Sequence, residues 1–174
     1  MGSRLSRGRT YARKGQVISL EVQAGEVRAK VQGSRTRPYD VRIGLAAFSQ
    51  LVWAKAEIAL SEQALPSAKL LAGEVPPELE ELFAAAGAPL FPRRGAELDQ
   101  RCSCPDGFVP CKHLAATFYL LAEAFDDDPF LILRWRGRRT LSRMNSAMVI
   151  PVPRRFSSRE ASSFQRSCLP GRER

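Results

Sequence analysis

A cluster of metal-ligand residue types lies between positions 102 and 113. This stretch holds three of the four cysteines of the chain and its only histidine. The candidate ligands are Cys102, Cys104, Cys111 and His113. Thiolates together with an imidazole suit zinc, which takes four tetrahedral ligands in structural sites. Because four protein ligands leave no open position for a reactive water, the sequence predicts a structural zinc site.

The residues around the cluster can position these ligands. Cys102 and Cys104 alternate by two, so an extended strand would direct both side chains to one side. A Pro-Asp-Gly turn at 105–107 then reverses the chain. Cys111 and His113 stand where an apolar helix begins, and the positive end of a helix favours thiolate over thiol.

Three other interpretations of the cluster remain open. A disulfide is one, although Cys102 and Cys104 are too close in sequence to pair easily and the bond would leave His113 unexplained. A catalytic pair of Cys111 with His113 is another, but no third orienting residue or oxyanion site accompanies it. The third is a coincidence of core cysteines. Cys168 lies far from the cluster in sequence and is given no role.

Length and composition place the chain in a broad class. Its 174 residues are enough for one domain with a proper core. No run approaches the roughly 18 to 20 apolar residues of a membrane span, and the N-terminus lacks the apolar core of a signal peptide. We therefore expect a cytoplasmic protein with no membrane partner and no small-molecule substrate, in which clustered cysteines bind metal.

The net charge of +9 is unevenly distributed. Residues 1–45 carry ten Lys/Arg against three Asp/Glu, residues 46–131 carry six against thirteen, and residues 132–174 carry eleven against two. Basic ends suit an anionic polymer such as nucleic acid, whose phosphates attract cations without regard to sequence. The alternative is that this charge only keeps the protein soluble.

Hydrophobic patterning predicts an α+β fold in a single domain over residues 15–141. Alternating β-branched runs predict a three-stranded antiparallel meander within 15–44. Residues 45–92 have a helical period, and residues 93–141 contain the zinc module and a final helix. We expect residues 1–14 to be a flexible basic lead-in and residues 142–174 to be a disordered Arg/Ser-rich tail.

Proline and glycine divide the helical region into separate helices. Pro66 predicts a break between a helix over about 46–64 and a second one over 66–72. A third helix begins at Pro76-Pro77, since proline is tolerated in a first turn. After the cluster, the 4, 3, 4 spacing of apolar residues predicts a helix with one buried stripe, formed by Leu114, Phe118, Leu121 and Phe125.

Two groups of basic and aromatic residues are candidates for contacts with nucleic acid. The first surrounds the loop after the second strand and consists of Lys30, Arg35, Arg37, Tyr39 and Arg42. The second lies in and after the final helix and consists of Arg134, Arg136, Arg138 and Arg139. Arginine and lysine bind phosphates, and a ring can stack on a base. The alternative for the first group is charge that protects an exposed hairpin edge from aggregation.

The spacing C-x-C-x(6)-C-x-H, followed by Leu-Ala-Ala and an aromatic-rich helix, resembles the SWIM zinc finger. Four flanking segments also look like those of bacterial SWIM-domain proteins, namely residues 8–15, 31–34, 119–125 and 128–130. The resemblance covers about residues 8–141. The resemblance implies a ββα zinc module that binds DNA or proteins. It also implies that stand-alone bacterial members act beside a helicase-like ATPase of the Snf type.

These observations predict a non-enzymatic, zinc-binding adaptor. It would bind nucleic acid, DNA in preference to RNA, or a protein partner, for which the resemblance implies a helicase-like ATPase. The alternative is a pure protein-interaction module that makes no contact with nucleic acid.

Overall fold

The computed structural model describes residues 2–72 and 74–138. The described chain has an α+β fold built on a four-stranded antiparallel sheet of order β1-β2-β3-β4. The strands are β1 (Val17–Gln23), β2 (Glu26–Val31), β3 (Tyr39–Leu45) and β4 (Leu98–Cys102). The predicted fold class is confirmed, with one strand more than the predicted meander. The predictions made for Arg139 and for residues 142–174 lie outside the described residues.

Six α-helices and one short 3-10 turn complete the described fold. The helices are α1 (Gly2–Arg13), α2 (Gln50–Ser61), α3 (Ala64–Leu71), α4 (Leu79–Ala85), α5 (Lys112–Asp127) and α6 (Phe130–Trp135). The break between α2 and α3 comes before Pro66 and not at it. Pro66 stands in the first turn of α3, where a missing N–H removes no helical hydrogen bond.

The sheet has one buried face and one charged face. Alternate residues such as Val27, Val41 and Ile43 are buried, while Arg28 and Arg42 between them are exposed. This alternation is what the period-two pattern of an antiparallel sheet with a single covered face requires. The apolar face packs against α5, so the sheet and this helix share the core.

Helix α5 is buried on nearly all sides. Its predicted stripe is buried, but so are Ala115, Ala116 and Ala122, which lie outside that stripe. All four strands of the sheet contact α5, and α1 packs along the helix as well. A helix that is apolar all round is expected only where it has neighbours on several sides.

Residues 2–13, which the composition predicts to be a flexible lead-in, form helix α1. Helices α1 and α5 approach closely because Gly8 of α1 faces α5. A Cβ on Gly8 would lie 2.4 Å from the Cβ of Ala115. Ala12 is buried in the same interface. Packing against the alanines of α5 thus stabilises α1 as a helix. The many charged residues of α1 obscure its helical pattern in the sequence.

Helix α6 is anchored by buried polar contacts. The backbone N–H of Gly25, in the β1–β2 turn, donates to the carbonyl of Trp135 at 2.7 Å. The guanidinium of Arg136 is buried and donates to three carbonyls, those of Ala46 (2.9 Å), Pro89 (2.6 Å) and Leu90 (2.7 Å). Arg136 therefore joins α6 to the segments that flank the helical region. No described helix combines the length and the apolar character that crossing a membrane requires.

Candidate metal centre

The four candidate ligands come from a strand end, a loop and a helix start. Cys102 ends β4 and Cys104 follows it, while Cys111 is the N-cap of α5 and His113 lies in the first turn of that helix. The sulfur of Cys111 accepts a hydrogen bond from the N–H of Leu114 at 3.5 Å. One candidate ligand atom from each residue lies within 4.8 Å of all the others. The structure thus brings all four predicted ligands together.

The spacing of these atoms fits a tetrahedral zinc ion. The Nδ1 of His113 lies 3.8 Å from the sulfur of Cys102 and 4.0 Å from that of Cys111. Zn–S bonds of about 2.3 Å and Zn–N bonds of about 2.0 Å give ligand separations of roughly 3.5 to 3.8 Å in a tetrahedron. Small movements would bring the four side chains to bonding distance. Thiolate and imidazole donors are also those that zinc prefers.

The imidazole of His113 is oriented by aromatic packing. Its ring centroid lies 4.6 Å from that of Tyr39 and 5.5 Å from that of Tyr11. Gly33 leaves room beside the ring, since a Cβ there would lie 3.1 Å from Nε2. Nδ1 faces the cysteines, so Nε2 carries the proton when the ring binds metal. This Nε2 is buried and has no hydrogen-bond partner among the described residues.

The thiols alter one another's pKa. A hydrogen bond from Cys102 is the main cause that lowers the pKa of Cys111 to about 4. The same hydrogen bond, followed by burial, raises the pKa of Cys102, and burial raises the pKa of Cys104. Zinc binds thiolates, so the raised pKa values of Cys102 and Cys104 mean that metal binding releases protons and weakens in acid.

Pairing of β4 with β3 fixes the first two ligands. Val41 is the register partner of Cys102. One residue further, Ser103 donates its N–H to the carbonyl of Asp40, and its hydroxyl accepts from the N–H of Asp40, each at 2.9 Å. The zinc module contributes only β4 to the sheet, and the neighbouring strand comes from the meander. The two strands expected of a ββα module are thus distant in sequence.

Most of the first group of nucleic-acid candidates is engaged within the protein. Lys30 pairs with Asp40 at 2.6 Å, and Arg42 pairs with a carboxylate oxygen of Glu26. Tyr39 is only 5% exposed because its ring packs on His113. These contacts leave little room for the predicted base stacking by Tyr39.

Two arginines of that group remain exposed near the metal centre. The guanidinium of Arg35 lies 5.8 Å from the centre of the Tyr39 ring. Arg37 is exposed in the same loop.

The second group lies at the other end of the sheet, beside the β1–β2 turn. Arg136 is buried against carbonyls, and Arg138 pairs with Glu57 at 2.6 Å. Arg134 is half-buried in α6. The strands separate the two predicted groups, so the structure does not bring them together as one surface.

Residues that surround the ligands were missed by reasoning from ligand types alone. Tyr11 and Gly33 both lie against His113, and Lys112 places its ammonium 4.9 Å from the centre of the Tyr11 ring. The family resemblance pointed to two of these residues, because Tyr11 lies in segment 8–15 and Gly33 lies in segment 31–34, and both segments carry the resemblance. Both segments converge on the histidine ligand.

Comparison with known proteins agrees with this geometry. The model of the SWIM zinc finger family matches residues 86–122, which include all four ligands. The chain is 63% identical over 138 residues to a protein of Mycobacterium tuberculosis (strain ATCC 25618 / H37Rv) named "Uncharacterized protein Rv2102". The match covers 79% of this chain and 50% of that relative, so the chain spans about half the relative's length. No solved structure matches the chain significantly. Residues 86–122 therefore match the SWIM zinc finger, and the Cys/His cluster within them supports zinc as the metal.

Proposed function

We propose that the chain is a non-enzymatic adaptor of the cytoplasm that uses its zinc finger to hold a nucleic-acid-binding surface, with DNA preferred to RNA. The observation that carries this proposal is the closed ligand set at Cys102, Cys104, Cys111 and His113. Zinc with four protein ligands has no place for a water and cannot supply the nucleophile of a catalytic zinc. The only histidine of the chain is one of these ligands, so it is not free to act as a base.

Charge near the metal supports nucleic acid as the partner. The exposed Arg35 and Arg37 lie in the loop that also places Gly33 and Tyr39 against His113. Because Tyr39 and Gly33 pack against the ligand His113, we expect the position of the two arginines to depend on the metal. Cations held in place in this way bind phosphates in a salt-dependent manner.

Fluorescence anisotropy with labelled DNA and RNA tests the proposal. We expect DNA affinity to fall steeply between about 50 and 200 mM salt, and to drop on replacing Arg35 and Arg37 by alanine. The matched control replaces Arg28 and Arg94, two exposed cations that pair with carboxylates and lie outside both candidate groups. Undetectable or salt-independent binding by the parent protein would contradict the proposal.

A protein-interaction module is the second candidate, favoured by apolar residues on the helical region. Leu51 and Ile58 on α2 are 67% and 61% exposed, and Leu65 on α3 is 65% exposed. Leu51 and Ile58 are seven residues apart, so they lie on one face of the helix. Exposed apolar patches of this kind are common at protein interfaces.

The proposed protein partner is a helicase-like ATPase of the Snf type, and the family resemblance is what supports it. Affinity capture from the native host after nuclease treatment tests this partner. We expect an ATPase to be retained by the parent chain and lost from a Leu51→Glu/Ile58→Glu variant that keeps its zinc. Retention of a partner without any DNA affinity would favour the second candidate.

A further inference from the structure

Helix α1 presents a cationic face that the sequence motifs did not identify. It and the residue that follows it carry Arg4, Arg7, Arg9, Arg13 and Lys14, and no acidic residue precedes Glu21. The exposed positions recur every three or four residues and include hydroxyls as well as cations; they are Ser3, Ser6, Arg7, Thr10, Arg13 and Lys14. Arginine, lysine and hydroxyl side chains are the usual donors to phosphate oxygens.

Packing fixes the direction of this face. Gly8 and Ala12 are buried on the opposite side of α1, where Gly8 contacts the backbone of α5 one turn after the zinc ligand His113. Tyr11 lies against His113 itself. The cations on the outer side of α1 are therefore held by the metal centre and the core, which reduces the entropy lost on binding.

The zinc loop adds an exposed aromatic ring at the end of α1. Phe108 is 62% exposed, and its N–H donates to Asp106, which fixes the turn that carries the ring. The guanidinium carbon of Arg4 lies 4.0 Å from the centre of this ring. A ring beside a cation resembles the stacking platforms on which single-stranded bases lie, with the cation near the phosphates.

The open face of the sheet offers no equivalent surface. Its cations are engaged by acidic neighbours, and the pairs are Arg28 and Arg42 with Glu26, Lys30 with Asp40, and Arg101 with Asp99. The groove of about 330 Å³ on this face is lined by both signs of charge. A phosphate would have to displace carboxylates there, whereas the outer face of α1 contains no acidic residue.

We infer that a single strand of nucleic acid binds along the zinc-side edge, defined by Arg4, Arg7, Lys14, Phe108 and Lys112. Its phosphates contact the α1 cations, and one base stacks on Phe108. Lys112 joins the edge because its ammonium lies over Tyr11 of α1. This inference rests on the proposed function and specifies the form of nucleic acid and the surface that binds it.

The charge part of the inference is tested with labelled oligodeoxythymidine and anisotropy titrations in a salt series. We expect Arg7→Ala/Lys14→Ala to weaken binding at least about tenfold and to lower the log–log salt slope by about 1.4, or about 0.7 for each phosphate contact. The matched control Arg28→Ala/Arg94→Ala also removes two exposed cations, each paired with a carboxylate, and should change affinity less than about twofold. Zinc content and near-UV circular dichroism verify that each variant is folded.

The stacking part is tested at Phe108, which carries no charge. Phe108→Ala should weaken binding of the single strand about tenfold and leave the salt slope unchanged, while Phe108→Trp should retain affinity. The neighbouring Val109, 58% exposed, provides the control Val109→Ala, for which we expect no loss. A duplex of the same length should bind more weakly, because its bases are not free to stack on the ring.

The outcomes distinguish the two levels of the proposal. If the parent protein binds no nucleic acid, the proposed function and this inference both fail. If it binds but the α1 and Phe108 variants equal the parent, the proposed function stands and the zinc-side edge is wrong. Duplex bound as tightly as single strand, or equal competition by polyglutamate or by phosphatidylserine vesicles, also overturns the inference.

Discussion

His113 is held in its metal-binding orientation by rings, in contrast to the usual arrangement. Zinc-bound histidines commonly donate their second ring N–H to a carboxylate or a carbonyl. Here Nε2 has no such partner among the described residues, and Tyr11 and Tyr39 pack on the ring instead. Gly33 leaves the space that this packing needs. The orientation of this ligand therefore depends on residues from the first third of the chain.

Loss of a single ligand should release the metal. We expect the parent chain to contain about one zinc and Cys111→Ser to contain almost none, because three remaining ligands bind far more weakly. The substitution also removes the sulfur that caps α5 through Leu114. Metal analysis after gel filtration measures the effect, and Cys168→Ser, a cysteine outside the cluster, is the matched control. A Cys111→Ser protein that keeps its zinc would contradict this ligand set.

The ligand types and their spacing predicted the four residues that the structure brings together, but not what surrounds them. Cysteines and a histidine clustered at short spacing have few uses other than metal binding, so the residue types alone favour a metal site. The rings around His113 come from α1 and from the loop between β2 and β3. These rings are far from His113 in sequence, and local sequence patterns do not show which distant segments come into contact in the fold.

At the scale of elements, strands were easier to predict than the packing of α1. The alternation of Val17–Gln23, Glu26–Val31 and Tyr39–Leu45 is local and strong. The fourth strand, Leu98–Cys102, is distant in sequence from the other three and pairs with β3. The helical pattern of α1 is carried by small residues such as Gly8 and Ala12, which hydrophobic periodicity hardly registers.

The α1–α5 interface should be sensitive to the addition of a single methyl group. A Cβ at Gly8 would lie 2.4 Å from a side-chain carbon and 3.1 Å from backbone atoms of α5. We expect Gly8→Ala to lower the free energy of unfolding by about 1–2 kcal/mol, because overpacking outweighs the gain in helix propensity. Urea denaturation measures this. Gly107→Ala, where a Cβ would meet nothing within 4 Å, is the control.

The last turns of α5 should give a pH-dependent stability. Burial, followed by repulsion from Asp127 and Asp126, raises the pKa of Glu123 from its ordinary 4.5 to about 7. The folded protein thus holds this proton more tightly than the unfolded chain, and stability falls as the pH rises from about 4.5 to 7. These acids also lie at the negative end of a helix, which disfavours their charge.

Glu123→Gln removes this unfavourable charge. We expect the variant to melt at a higher temperature than the parent above pH 7, with the difference vanishing near pH 4.5 because the parent carboxyl is then protonated. Thermal melts across this pH range measure the effect. Glu62→Gln, at an exposed glutamate, should show no such trend. A constant difference at all pH values would contradict the assignment to Glu123.

At the scale of the whole molecule, Arg136 is the polar contact that joins distant segments. Its guanidinium satisfies three carbonyls and lies 4.5 Å from the centre of the Phe48 ring. From sequence this arginine was a candidate for contact with nucleic acid, because no local pattern shows that one arginine of an arginine-rich segment is buried. Burial lowers the pKa of Arg136, as expected of a cation removed from water.

Replacing Arg136 by methionine should destabilise the whole fold. The carbonyls of Ala46, Pro89 and Leu90 would lose their donor, so we expect a loss of about 3 kcal/mol, or about 1 kcal/mol for each. Denaturation followed by the fluorescence of the buried Trp53 and Trp135 reports it. Arg138→Met removes an exposed pair with Glu57 and should cost less than about 1 kcal/mol. Equal losses in the two variants would refute the anchoring role.

The late position of α5 and α6 has a consequence for synthesis on the ribosome. The meander is complete at Leu45, whereas the helix that covers its apolar face begins at Lys112 and the anchor Arg136 comes later still. At about 5–20 residues per second, roughly 5 to 20 seconds pass between synthesis of Leu45 and synthesis of Arg136. The apolar face of the nascent sheet stays uncovered for much of this interval. During that time its inner strands are available to chaperones, and a transcript truncated before the codon for Arg136 would encode a chain unable to close its core.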